Sequence, residues 1–201
     1  MARRIGSDGT RTHAAIREAA IRLIARYGYE ALSMRRLAEE VGLGAAALYR
    51  YFPNKQTMLV SLMEDHMVEM LDAWQATEAS GPAADRLEAF TRFHIRFHWP
   101  RIDSLFLSYM ELRSLSEQNF AHIEDLRNRY ERGVVAILSD GQSNGEFSPM
   151  DPRVTARAII ALLNGLTTWY RPDGPISREE IEDIYWSMVA RVVGVPVLEA
   201  A

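Results

Sequence analysis

A short stretch of the chain combines aromatic, basic and small side chains in a spacing suited to contact with nucleic acid. Tyr49, Arg50 and Tyr51 lie close to the small residues Ala45, Ala46 and Ala47, and Lys55 comes four positions after Tyr51. Arginine and lysine bind phosphate oxygens, and arginine also pairs with base edges. These residues predict a DNA-binding surface. The alternative is that the two tyrosines are half-buried aromatic residues and that Lys55 is a solvated charge.

The apolar spacing around this stretch predicts two short helices, one from Met34 to Val41 and one from about Ala45 to Tyr51. Gly42 lies in the turn between them, small Ala38 lies where they would cross, and Leu48 would anchor the second helix. A steep crossing of two short helices is the helix-turn-helix arrangement. Its second helix fits the major groove of B-DNA.

The rest of the chain also has helical periodicity, with no alternating pattern of the kind that strands produce. We therefore expect an all-α fold of nine helices. The first runs from Thr12 to Tyr27 and ends at Gly28. The six that follow the two short helices are predicted at about residues 55–77, 83–99, 103–115, 117–140, 152–170 and 178–193. The expected N-caps are Ser33, Asn54, Asp151 and Ser177.

Charge is divided unevenly along the 201 residues, whose formal net charge is −4. Residues 1–55 hold ten basic and five acidic side chains, while the remainder holds 13 and 22. A basic segment on an acidic body indicates that only this segment contacts a polyanion. The absence of cysteine excludes disulfides and thiolate chemistry. Without an apolar run of membrane-spanning length or a secretion signal, we expect a cytoplasmic protein with no membrane partner.

The segment from Ser33 to Lys55, which ends Leu-Tyr-Arg-Tyr-Phe-Pro-Asn-Lys, resembles the TetR family of transcriptional regulators. The preceding Tyr27–Ser33 also matches the family pattern, and the resemblance covers residues 11–60. It departs at Gly44, where serine or another capping residue is common. The resemblance implies a TetR-like fold with a three-helix DNA-binding domain, residues 1–53. Residues 54–201 would form a helical domain for ligand binding and dimerisation.

The resemblance also implies a role for individual residues. Tyr49 and Lys55 resemble the family's phosphate-binding pair. The full set of expected DNA-binding residues is Ser33, Arg35, Ala45, Ala46, Tyr49, Arg50, Tyr51 and Lys55. Leu37, Ala38, Leu48 and Phe52 are expected to form the core of the motif.

One helix-turn-helix motif makes few contacts, so we expect a homodimer bound to a pseudo-palindromic operator. Apolar stripes on the last two predicted helices would form the interface, which by resemblance is a four-helix arrangement. The candidate interface residues are Ile159, Leu162, Leu166, Ile184, Tyr185 and Met188. The alternative is that these stripes face the core of their own chain.

Helices five and six are rich in aromatic residues interleaved with polar ones, which is typical of a small-molecule pocket and equally of an ordinary helical core. The candidate ligand-binding residues are Phe93, His94, Phe97, His98, Phe106, Tyr109, Arg113 and Trp169. His94 and His98 share one helix face, but no third metal ligand is evident, so no metal site is predicted. The corner at Trp169 is similar to that of acyl-CoA-sensing family members.

These observations favour a ligand-responsive repressor that a small-molecule effector, an acyl-CoA or another hydrophobic metabolite, releases from double-stranded DNA. Two other functions stay open. A helical protein-interaction module would need no DNA contact. A small all-α enzyme would need a nucleophile, a base or a metal site, and the sequence offers none of these, so no catalytic residue or cofactor is predicted.

Overall fold

The computed structural model of the chain describes residues 5–77, 79–171 and 174–196, and these residues form ten α-helical segments and no strand. The segments are α1 (Ile5–Tyr27), α2 (Met34–Glu40), α3 (Ala45–Leu48), α4 (Lys55–Gln75), α5 (Ala83–His98), α6 (Ile102–Met110), α7 (Glu117–Ser143), α8 (Pro152–Asn164), α9 (Leu166–Trp169) and α10 (Arg178–Val193). Two 3₁₀ turns, Trp99–Arg101 and Leu112–Ser114, follow α5 and α6. The predicted all-α class is confirmed.

The helix boundaries differ from the predicted ones most clearly in four places. The predicted helix 103–115 ends at Met110, and a separate 3₁₀ turn follows it. The first helix begins earlier, at Ile5. The predicted helix 152–170 is divided at Gly165, after which α9 forms one short turn. The second helix of the helix-turn-helix motif is also shorter than predicted, because the chain after Leu48 tightens into a 3₁₀ pattern in which the Tyr51 amide donates to the Leu48 carbonyl at 2.9 Å.

Side chains satisfy the first amide groups of the helices at the predicted caps. The Ser33 hydroxyl accepts from the amide of Arg36, and the Asn54 side chain accepts from that of Thr57 at 2.8 Å. Asp151 accepts from the amides of Arg153 and Val154 at the start of α8. Ser177 and Glu180 form a complete capping box at the start of α10. These polar contacts fix where α2, α4, α8 and α10 begin.

The chain divides into two compact units. The first contains the described residues of Met1–His66 together with Asp103–Ile123, and the second contains those of Met67–Ile102 and Glu124–Ala201. The first unit thus includes α6 and the start of α7 as well as the helix-turn-helix motif. The predicted domain limits, 1–53 and 54–201, stay a prediction.

Each unit has its own buried apolar side chains. In the first unit these include Ile16, Ala20, Ile24, Leu37, Leu48, Met58, Leu59 and Leu62. In the second they include Leu87, Phe90, Ile95, Val134, Leu138, Leu163 and Val189. An ion pair between helices α5 and α10 supplements the second set, since the buried Glu182 carboxylate accepts from the Arg96 guanidinium at 2.7 Å. In the part of the chain that the structure describes, no helix combines the length and apolar character that a membrane span requires.

Leu48 tests whether core packing holds the short α3 in place, because its side chain is completely buried. We expect Leu48→Ala to lower the free energy of unfolding by about 2–5 kcal/mol, since the substitution leaves a cavity. The volume-conserving control Leu48→Met should cost less than about 1.5 kcal/mol. Urea unfolding followed by far-UV circular dichroism measures both values. Equal stability of the two variants would contradict the anchoring role.

Candidate DNA-binding surface

Helices α2 and α3 meet at a closed corner. The Leu43 amide donates to the Ala38 carbonyl at 2.8 Å, which turns the chain directly after α2. Gly42 has φ of 68°, a conformation that residues with a Cβ rarely adopt. Leu37 and Leu48 are fully buried beneath the corner, and Ala38 is almost so. The predicted core of the helix-turn-helix motif is thus in place.

Helix α3 and the turn that continues it to Arg50 share one face that is open to solvent, here called the exposed face of α3. Ala45, Ala46 and Arg50 are exposed, and Tyr49 has 48% of its surface accessible. Ala46 and Arg50 each lie two positions from the buried Leu48, which places them roughly 200° away around the helix axis and on the solvent side. The structure therefore brings four of the sequence-selected residues onto one exposed surface.

Tyr51 differs from these four residues because it is only half exposed. Its ring lies 6.2 Å from that of His13 on α1, and His13 in turn stacks on the buried Phe52 at 5.2 Å. The ring of Tyr51 thus packs partly against α1, as the alternative interpretation of this residue expected.

Ser33 and Arg35 lie at the exposed start of α2. The Ser33 hydroxyl oxygen already accepts the Arg36 amide at 3.1 Å as the helix cap. The Arg35 guanidinium donates to Glu39 one turn later, also at 3.1 Å, in a pair that is open to water. An exposed pair of this kind is weak, so Arg35 can exchange its partner for another anion at little cost.

Lys55 is the first residue of α4, and its ammonium group is held in a defined position. The Nζ atom donates to the Glu30 carbonyl at 3.3 Å and lies 4.0 Å from the centre of the Tyr29 ring. A cation above an aromatic face is attracted by the ring quadrupole. The carbonyl occupies only one of the three donor hydrogens of an ammonium group.

Tyr29, whose ring contacts the Lys55 ammonium group, belongs to a cluster of polar residues. The sequence analysis did not identify this cluster. The buried Glu111 carboxylate accepts from the Tyr29 amide at 3.0 Å and from the Ser114 hydroxyl at 2.7 Å. Gln56 donates to the Tyr29 hydroxyl oxygen at 3.1 Å. Burial raises the pKa of the Tyr29 hydroxyl above its ordinary value. No local pattern indicates contacts between residues that lie 82 positions apart in the sequence.

In the second unit, four predicted ligand-binding residues lie together on α5. His94 and His98 are buried, with ring centres 4.3 Å apart, and Phe93 stacks on Phe97 at 5.7 Å. The His98 Nδ1 atom lies 2.8 Å from the His94 carbonyl and carries a proton there, because a carbonyl only accepts. The His94 Nδ1 atom shares a hydrogen bond with the Tyr130 hydroxyl at 2.9 Å. Among the described residues, no cluster of three or more side chains could hold a metal ion.

The other predicted ligand-binding residues are more open. Trp169, also in the second unit, is exposed and stacks its ring nearly parallel to that of Tyr185 at 6.5 Å. Phe106, Tyr109 and Arg113 belong to the first unit, where Phe106 is half-buried and the other two are more accessible. The structure thus groups only the four α5 residues with one another.

The predicted dimer interface needs a correction. Ile159, Leu166 and Tyr185 have at most 5% of their surface accessible, so their side chains pack within their own chain and offer almost nothing to a second protomer. Leu162 is half-buried. Ile184 and Met188 are exposed, and Val192 extends their line along α10 at the same four-residue spacing. Val154 on α8 is a further exposed apolar residue that the sequence analysis did not select.

Two known protein families match this chain. Residues 16–62 match the family described as bacterial regulatory proteins, tetR family. Residues 80–193 match the tetracyclin repressor-like C-terminal domain. The first match contains the whole helix-turn-helix motif, and the second covers more than half of the chain.

Individual relatives extend over most of the chain. The HTH-type transcriptional repressor KstR2 of Mycolicibacterium smegmatis is 26% identical over 174 residues, which is 83% of either protein. The structure of the TetR family transcriptional regulator PfmR from Thermus thermophilus is 31% identical, has a TM-score of 0.80 and covers 88% of this chain and 97% of its own. AibR, crystallised with isovaleryl coenzyme A and operator DNA, is 25% identical with a TM-score of 0.79, over 90% of this chain and 98% of its own. This chain therefore belongs to the TetR family of DNA-binding transcriptional regulators.

Proposed function

We propose that the chain is a homodimeric repressor that binds a pseudo-palindromic operator and leaves it when a hydrophobic acyl thioester binds. The observation that carries the DNA-binding part is the exposed face of α3. Ala45, Ala46, Tyr49 and Arg50 point to solvent there while Leu48 anchors the helix from behind. A face of small, basic and hydroxyl-bearing side chains suits the major groove.

Each residue of this face has a distinct part in the proposal. Arg50 is the candidate for paired hydrogen bonds to a base edge or a phosphate. Ala45 and Ala46 allow close approach, and their methyl groups can contact the methyl group of thymine. Tyr49 donates its hydroxyl to a phosphate oxygen, and Tyr51 has a smaller share because it is partly covered.

Residues at helix starts would fix the position of the protein on the DNA backbone. The remaining donors of Lys55 and the first amides of α4 can meet one phosphate. At the start of α2, Ser33 and Arg35 would contact the DNA backbone in the same way. The charge distribution supports this assignment, since residues 1–55 carry ten basic side chains against five acidic ones. Contacts of this kind provide affinity, while those of α3 provide selectivity.

The dimeric part of the proposal draws on the exposed apolar line of α10. Ile184, Met188 and Val192 lie one helical turn apart, and all three are more than 40% exposed. Burial against the same line of a second protomer would remove this apolar surface from water. A two-fold pair then presents two copies of α3, which matches two half-sites about 34–36 Å apart.

The proposal that an effector binds rests on the four candidate residues that lie together on α5 and on the relatives. Phe93 and Phe97 offer apolar surface, and His94 and His98 offer polar groups in the same place. Phe106, Tyr109, Arg113 and Trp169 stay candidate ligand contacts. AibR was crystallised with isovaleryl coenzyme A and operator DNA together, which supports the class of ligand but not the direction of the response, and KstR2 is named a repressor. A regulator of this kind acts in the cytoplasm, beside the chromosome, and needs no catalytic residue, so we expect no enzymatic turnover.

Replacement of Arg50 by alanine tests the role of α3. We expect Arg50→Ala to weaken binding to the DNA upstream of the chain's own gene by about 1–3 kcal/mol for each contacted base pair. Its binding to an unrelated duplex should change much less. The control Arg132→Ala removes an exposed arginine of α7 and should leave both affinities unchanged. Fluorescence anisotropy with labelled duplexes measures these affinities, and an unaffected Arg50→Ala variant would exclude Arg50 from the interface.

Charged residues on the α10 line test the dimer. We expect the double variant Ile184→Asp and Met188→Asp to be monomeric and to lose operator affinity, because buried carboxylates at an interface are costly. Sedimentation velocity gives the oligomeric state. Phe120→Asp is the matched control, since Phe120 is a similarly exposed apolar residue on α7. A double variant that remains dimeric would place the interface elsewhere.

Acyl thioesters test the effector. We expect isovaleryl-CoA or a longer acyl-CoA to release the protein from its promoter DNA, while free coenzyme A has little effect because it lacks the apolar acyl group. A titration of the preformed complex, followed by anisotropy, measures the release. His98→Phe should raise the concentration that is required. Tighter DNA binding on addition of the thioester would contradict the proposed direction of the response.

A further inference from the structure

We infer that Tyr29, Gln56 and Glu111 form a polar cluster, here called the Tyr29 latch, that positions Lys55 for DNA without touching DNA itself. The inference rests on the proposed function, since the ligand is again DNA. None of the three residues belongs to the exposed face of α3. They are positioning residues, and they act through the ammonium group of Lys55.

Glu111 is the first part of the Tyr29 latch. It follows the end of α6 and is 7% exposed. One carboxylate oxygen accepts the Tyr29 amide at 3.0 Å, and the other accepts the Ser114 hydroxyl at 2.7 Å. Both donors are neutral groups. The backbone of Tyr29 is thus bound to the segment that follows α6, and the contact needs an acceptor oxygen rather than a charge.

Gln56 is the second part, and both ends of its amide are engaged. Its Nε2 atom donates to the Tyr29 hydroxyl oxygen at 3.1 Å and to the Ser114 carbonyl at 2.5 Å. Its Oε1 atom accepts from the Ser116 amide at 3.1 Å and from the Asn119 side chain at 3.3 Å. One side chain on α4 therefore fixes the tip of Tyr29 and the turn before α7 together.

The Tyr29 latch ends at Lys55, the residue next to Gln56. The ring of Tyr29 lies under the Lys55 ammonium at 4.0 Å, and the carbonyl of Glu30, the next residue along, accepts from it at 3.3 Å. The two groups that hold Lys55 thus belong to the short segment that Glu111 and Gln56 hold. Since the carbonyl occupies one donor, two others remain for a phosphate.

The function of this arrangement is preorganisation. A lysine side chain that is free in solution loses conformational entropy when it binds, and one that is already held loses less. Disruption of the Tyr29 latch should therefore weaken DNA binding while the number of phosphate contacts stays the same. Removal of the Lys55 ammonium should abolish a phosphate contact. The two effects differ in their dependence on salt, because only the second changes the number of counterions released.

The experiment measures affinity for the promoter duplex over a range of salt concentrations. We expect Glu111→Ala to weaken binding by about fivefold with an unchanged salt slope. Glu111→Gln keeps an acceptor oxygen and should restore affinity to within about twofold of the wild type. Gln56→Leu should resemble Glu111→Ala and serves as the second variant if that one fails to fold. Lys55→Met should lower the slope by about 0.9 for each phosphate that the side chain no longer binds.

Glu146→Ala is the matched control. Glu146 also accepts a backbone amide, that of Ala84 at 3.0 Å, but it lies in the second unit. We expect its replacement to leave DNA affinity unchanged. If Glu111→Ala and Gln56→Leu bind DNA like the wild type, or if Glu146→Ala weakens binding equally, the inference is wrong. A wild-type protein that binds no DNA would instead overturn the proposed function, and this inference with it.

Discussion

The proposed DNA-binding surface depends on the burial of one side chain, that of Leu48. Helix α3 is four residues long, and a helix of that length does not form by itself in water because nucleation is unfavourable. Its orientation comes from Leu48 in the core and from the hydrogen bond between Leu43 and Ala38 that closes the preceding turn. The direction in which Arg50 points is thus a consequence of packing on the far side of the helix.

Such a short and alanine-rich helix limits how the protein can distinguish DNA sequences. Tyr49 and Arg50, which follow the helix directly, are the long polar side chains beside its exposed alanines, so the proposed mode of binding offers few direct hydrogen bonds to base edges. In that mode of binding we expect a large share of the affinity to come from the phosphate backbone, to which the basic N-terminal segment is suited. In the proposed homodimer, two copies of α3 at a fixed spacing would make twice as many base contacts. Dimerisation would therefore increase the selectivity for a pseudo-palindromic site.

Local features of the chain could be predicted from the sequence, and long-range ones could not. Caps such as Ser33 and Ser177 follow from the preference of a hydroxyl for amides two or three positions ahead. The burial of Leu37 and Leu48 follows from helical spacing. The residues of the dimer interface were predicted less well. Periodicity identifies the apolar face of a helix, but it does not show whether that face packs against the same chain or against a second one. Ile159 and Ile184 look alike in sequence, yet only the second reaches solvent.

The Tyr29 latch could not be predicted from the sequence, because its contacts join segments that are distant along the chain. It also bears on what constitutes the DNA-binding part of the chain. A fragment that ends at residue 53 would keep the core of the helix-turn-helix motif but lack Lys55, Gln56 and Glu111, and with them three of the hydrogen bonds that fix the segment after α1. The amide of Tyr29 would then have to find water as its partner. The motif packs around Leu48, but the segment that contacts Lys55, its proposed phosphate-binding residue, is hydrogen-bonded to a carboxylate more than fifty positions later in the chain.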